Sequence, residues 1–197
     1  MPVQTHQIDS LTLNGHRLIA KMQFEADRFV TELYLGSQTS TNLILRSEEG
    51  SSLDIWSASG PIQELLPHQD GDKQCLAGVG RAGKSHWSTV LSTSTDEQSA
   101  ETPYIDFDFA CRAKERPEFL GSTYRLNTDA VTLDLAENSG SESGSVTFRI
   151  RDQCIRCLAS RGTVGQDITT GRIVISPESL AGELPQTVRW QYQFQLV

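Results

Sequence analysis

This chain predicts an all-β fold, a single antiparallel β-sandwich of about a dozen strands, and three features of the sequence carry that prediction. Apolar and polar residues alternate with the two-residue period of half-buried strands along most of its length. Clusters of Gly, Asn, Asp and Ser separate the alternating runs, as turns between strands require. Helix signals are confined to SPESLAGELP, where Ser176 as N-cap and Pro177 at the first helical position predict at most one short helix. Jelly-roll or Greek-key connections suit such a chain, and a closed or strongly curled β-barrel is the alternative.

The elements follow in order. In LTLNGHRLIAK, Asn14 and Gly15 have the residue types of a type I′ hairpin turn. A strand from His16 to Glu25 then directs Leu18, Ala20, Met22 and Phe24 inward, and a connection at Ala26, Asp27 and Arg28 leads into a strand with Phe29, Thr31, Leu33 and Leu35 on one side. Further strands are expected at Asn42 to Arg46, Ser52 to Ser57, Pro61 to Leu66, His86 to Ser92 and Tyr104 to Arg112, and in STYRL, AVTLDLA, SVTFRIR and RIVIS. The clearest signal is the C-terminal TVRWQYQFQLV. There Val188, Trp190, Tyr192, Phe194 and Leu196 point to the core, and Arg189, Gln191, Gln193 and Gln195 point away.

The 197 residues fit one domain over residues 1–197, long enough to bury roughly two thirds of its unfolded surface without a metal or disulfide. A net charge of −8 and the lack of any Lys/Arg run argue against nucleic acid and anionic membranes as partners. MPVQTHQID has no signal-peptide character and no apolar run approaches a membrane span, so a cytoplasmic protein with reduced cysteines and no cofactor is expected.

The residues from Gly78 to Ser85, GVGRAGKS, match the G-x-x-x-x-G-K-[ST] pattern of phosphate-binding loops. A working loop of that kind needs a buried strand before it and a helix after it. Here DGDKQCLA precedes and the alternating HWSTVLSTST follows, so the expectation is an exposed glycine-rich β-turn over residues 78–85 with a strand from His86. Such a turn offers a lesser chemistry: Gly80, Arg81, Lys84 and Ser85 forming an anion nest, with His86 as a titratable neighbour and Trp87 as an aromatic wall.

In YIDFDFACR, Asp106 and Asp108 share the outward face with Tyr104 and Arg112. Same-face neighbours lie about 7 Å apart, a spacing relevant to paired-carboxylate chemistry or calcium binding. The segment resembles the Glu-x-Asp-x-x-Glu strand of jelly-roll glycosidases at its aspartate only. Tyr104 stands where the first Glu belongs, and no Glu occupies 107, 108 or 109. The competing account is a solvated strand face, with Arg149 and Arg151 available for cross-strand pairing.

Cys154 and Cys157 form a CxxC that converges only if Ile155 and Arg156 make a tight turn, and Cys75, Cys111, His68 and His86 are the remaining zinc-ligand types named for it. Zinc is not expected, and no G-x-S-x-G elbow marks a nucleophile. The functional expectation is a non-catalytic binding or interaction domain for a partner protein or a small polar or anionic ligand. The alternatives are a carbohydrate-active jelly-roll enzyme using Asp106 and Asp108, or phosphate or nucleotide handling at residues 78–85.

Overall fold

The computed structural model describes residues 3–51, 53–70, 73–93, 102–129, 132–133, 144–167, 169–178 and 182–197. In chain order the strands are β1 (Thr5–Asp9), β2 (Arg17–Glu25), β3 (Arg28–Gly36), β4 (Thr41–Ser47), β5 (Glu64–Asp70), β6 (Lys73–Ala82), β7 (Ser85–Thr93), β8 (Tyr104–Ala113), β9 (Ser122–Leu126), β10 (Thr132–Leu133), β11 (Ser145–Ile150), β12 (Gln153–Arg161), β13 (Thr163–Asp167), β14 (Arg172–Ser176) and β15 (Gln186–Leu196). They form two open antiparallel sheets, one of seven strands in the order β1-β2-β3-β4-β9-β14-β13 and one of eight in the order β10-β11-β12-β15-β8-β7-β6-β5. The fold is therefore the expected β-sandwich and not a closed barrel. Among the described residues no helix is long and apolar enough to cross a membrane.

Alternation in the sequence becomes two-facedness in the sheets. Trp190, Tyr192, Phe194 and Leu196 are fully buried, while the residues between them lie on the outer face, as the C-terminal segment predicts. Phe107 and Phe109 of β8 stack on Tyr192 and Trp190 of β15, with ring centroids 5.1 and 5.5 Å apart. Leu18, Ala20 and Met22 of β2 and Phe29, Leu33 and Leu35 of β3 supply the facing half of the core. Asn14 and Gly15 both have positive φ, 51° and 79°, which is the primed hairpin turn that their types predict.

Four expectations need correction. Residues 53–57 make turns instead of a strand, and Leu53 is almost wholly exposed. The strand placed at Pro61 begins at Glu64, because Gly60 to Ile62 run across the inside of the sheet. Gln153–Arg161 and Thr163–Asp167 are strands that the CxxC and glycine signals obscured. Ser176 ends β14 and Pro177 is not helical, while residues 179–181 of the expected helical turn lie outside the described residues. Most of AVTLDLA, including Asp134, also lies outside them.

The glycine pattern has a packing explanation. Gly78–Ala82 are part of β6, and only Gly83 and Lys84 form the turn into β7, so the expected loop over 78–85 is reduced to two residues. A Cβ on Gly80 would lie 1.7 Å from the Pro61 carbonyl oxygen, and one on Gly78 would lie 2.7 Å from Ile62 Cγ2. These inward-facing glycines let the 60–62 backbone lie directly on β6. Gly83 has φ +54°, which its missing Cβ tolerates in the tight turn.

Candidate functional site

No phosphate cradle exists at residues 78–85. Gly80 is paired with Trp87 and Ala82 with Ser85 in the β6–β7 ladder, and the Arg81 amide donates to Gln63 Oε1 at 3.0 Å. The strand that follows Ser85 is β7, where a nucleotide-binding loop requires a helix.

The outer face of the same strands carries a different arrangement. Cross-strand register aligns Arg81 of β6, His86 of β7 and Arg112 of β8 in one row. Neighbouring side chains in such a row have Cβ atoms about 5 Å apart. All three are exposed, and with Gln63, Glu64, Val79, Gly80, Trp87 and Ser88 they line a cleft of about 440 Å³. Arg81 is steered by its Nε, which donates to the Gly83 carbonyl at 3.1 Å. Lys114 adds a further cation, with Nζ 3.4 Å from His86 Nε2. Among the described residues the Arg112 guanidinium has no hydrogen-bond or ion-pair partner. Glu64 is the acidic residue in the lining.

The other residues read as candidates from the sequence separate from this row. Lys84 projects into solvent and pairs with Glu115 at 3.7 Å. Ser85 and Trp87 face the interior, where the Trp87 ring packs between Trp56 and Trp190 at centroid distances of 6.4 and 6.0 Å. Trp87 therefore borders the cleft from the core side and presents no open aromatic wall. Ser85 Oγ and Trp87 Nε1 are buried without a hydrogen-bond partner among the described residues.

Asp106 and Asp108 lie on the outer face of β8 but do not line the cleft. Asp106 is only 7% exposed, and Gln191 Nε2 contacts both of its oxygens, at 3.2 and 2.9 Å. Burial raises its carboxyl above the usual range, hydrogen bonds from Gln191 and Gln193 oppose the shift, and the nearby Asp108 charge adds to it. This carboxylate is held by the neighbouring strand, which leaves it poorly placed to meet a substrate.

The two members of the CxxC face opposite sides of β12. Cys157 pairs with Phe194 and is buried, whereas Cys154 lies opposite Arg149 on the outer side. Burial pushes the Cys111 thiol up to about 12 and raises that of Cys157 as well. Among the described residues no three His, Cys, Asp or Glu side chains are grouped to hold a metal ion.

Arg112 in the cleft and Lys114 beside it are the cations that sequence reasoning did not single out for binding, and Gln63, Glu64, Val79 and Ser88 of the lining were not singled out either. Arg112 alternates outward with Asp106 and Asp108, so its facing was legible. Its alignment with His86 and Arg81 depends on the register of three strands, and a long connection separates β7 from β8.

What the fold and this site define is a β-sandwich with a cation-lined cleft on the outer face of its larger sheet. Comparison with family models, curated proteins and solved structures finds no match to the chain.

Proposed function

We propose that this protein is a non-catalytic binding domain that takes an anionic ligand, through a phosphate or carboxylate group, in the cleft at Arg81, His86 and Arg112. The observation that carries this reading is the cross-strand row that sets His86 between the guanidinium side chains of Arg81 and Arg112, the latter neutralised by no described residue. In a chain of net charge −8, such a cluster is self-repelling and is relieved when an anion enters. Arginine offers a planar fork of donors suited to two oxygens of one group, and Lys114 and His86 supply donors beside it. The carbohydrate reading has less support, because Asp106 is buried and held by Gln191. Hydrolysis of nucleotides lacks the helix and free amides that it needs.

Titration with inorganic phosphate, followed by amide shifts of Arg81, His86 and Arg112, tests the reading. Phosphate is expected to move these resonances together, and Arg112→Gln to weaken binding by about tenfold or more, since hydrogen bonds to charged groups contribute at that level. High ionic strength is expected to reduce the affinity. If phosphate shifts none of these amides, or if Arg112→Gln binds as the parent does, the cleft is not an anion site.

A further inference from the structure

The cation row does not stand alone on its sheet face. One step along the same strands the outward residues are Glu64, Val79, Ser88 and Ala110, and one step further they are Leu66, Ala77 and Val90, with Asp108 at the β8 end of that row. Leu66, Val79 and Val90 are 68%, 51% and 43% exposed, which makes them a contiguous apolar strip and not scattered surface residues. Val79 also lines the cleft, so strip and cleft are continuous. Successive rows on one face of a sheet are about 7 Å apart, which puts the Leu66 row about 14 Å from the arginines.

We propose that the anionic group bound at Arg81, His86 and Arg112 belongs to an extended peptide segment of a partner protein, whose side chains two and four residues further on are apolar and rest on Val79 and on the Leu66–Val90 row. The proposal depends on the cleft being an anion site and adds what carries the anion. Two observations select this occupant. An extended chain repeats its same-face side chains at the spacing of the rows, so one acidic and two apolar residues at alternate positions match the face in both charge and distance. A free inorganic ion needs only the cleft and leaves the apolar strip uncovered. Docking on the face is favoured over adding a strand at the edge. β5 is an edge strand of this sheet, but Pro67 at its middle lacks the N–H that a new ladder requires.

The test is isothermal titration with three acetylated pentapeptides: phosphoserine-Gly-Val-Gly-Leu, phosphoserine-Gly-Gly-Gly-Gly and Ser-Gly-Val-Gly-Leu. The first is expected to bind about tenfold or more tightly than the second, reflecting burial of two apolar side chains, and the third weakly or not at all. Leu66→Ser combined with Val90→Ser changes only exposed residues and is expected to remove the difference between the two phosphopeptides while sparing the binding of the glycine one. Equal affinity of the two phosphopeptides overturns the peptide proposal and leaves the anion site standing. Failure of both to bind overturns the anion site as well. Concentration-dependent dimerisation of the ligand-free protein that is abolished by the same double substitution would identify a second copy as the occupant, and it too overturns the proposal.

Discussion

The hydroxyls of Tyr124 and Tyr192 meet at 2.5 Å in the middle of the sandwich, one contributed by each sheet. Beside them Trp190 Nε1 of the larger sheet donates to Ser122 Oγ of the smaller one at 3.0 Å. The two bonds satisfy polar atoms that the aromatic core would otherwise strand, and they fix how the sheets sit on each other. Burial drives the titration of both phenols well upward, so both stay neutral at any ordinary pH.

Removing one hydroxyl leaves its partner buried and unpaired, whereas removing both leaves only apolar rings in contact. Tyr192→Phe and Tyr124→Phe are each expected to cost about 1 to 3 kcal/mol, and the double substitution clearly less than their sum. Urea unfolding of the four proteins measures the coupling. Strict additivity would mean that the bond contributes nothing to stability.

Trp190 illustrates the same core from its apolar side. It is fully buried, stacked on Phe109 and edge-on to Trp87, and it belongs to β15, which lies between β12 and β8. Trp190→Ala is expected to cost roughly 3 to 5 kcal/mol, a large share of the stability of a domain this size. Truncation after Arg189 removes Trp190, Tyr192, Phe194 and Leu196 and divides the eight-stranded sheet, so no cooperative thermal transition is expected by circular dichroism. A truncated chain that melts as the full one does would contradict the placement of β15.

The glycines at 78 and 80 make opposite predictions under the phosphate-loop and packing accounts. With the Pro61 carbonyl 1.7 Å from a Cβ on Gly80, Gly80→Ala must push two backbones apart and is expected to cost several kcal/mol or prevent folding. Lys84→Ala touches an exposed pair and is expected to change stability by no more than about 0.5 kcal/mol. Magnesium-ATP is expected to raise the melting temperature no more than inorganic phosphate does, in the parent and in Lys84→Ala alike. A stable, cooperatively folding Gly80→Ala variant would show that residues 60–62 do not cross beneath β6.

What the sequence revealed and what it concealed divide along a physical line. Strands whose inward positions hold large apolar residues, such as β3, β8 and β15, were legible because burial imposes the two-residue period on them. β6 was not, because its inward Gly78 and Gly80 are small to admit a distant segment, and nothing local announces that contact. At the candidate site, the outward facing of Asp106, Asp108 and Arg112 could be read from alternation. The alignment of Arg81 with His86 and Arg112 could not, because register across strands is set by the whole sheet. The clamp of Gln191 on Asp106 was hidden for the same reason, since it joins residues far apart in the chain.

A buried carboxyl just beyond β4 should make stability depend on pH near neutrality. Glu49 Oε1 accepts from Ser47 Oγ at 2.6 Å, and Ser47 Oγ in turn accepts the Thr31 amide at 2.8 Å, while Glu49 Oε2 is buried without a partner. Burial pushes its pKa up to about 7 from an ordinary 4.5; the Ser47 hydrogen bond and the charges of Arg28 and Arg46 oppose the rise, and Asp27 adds to it. In the window between those two values the folded protein keeps a proton that the unfolded chain has released. The stability linked to this group is therefore complete below pH 4.5 and is lost as pH rises through about 7, by a total of about 3 kcal/mol. Glu49→Gln cannot titrate, so its stability relative to the parent is expected to grow by up to that amount between pH 4.5 and pH 8. Urea midpoints of both proteins across this range measure the difference, and parallel profiles would show that Glu49 is solvated like an ordinary surface carboxylate.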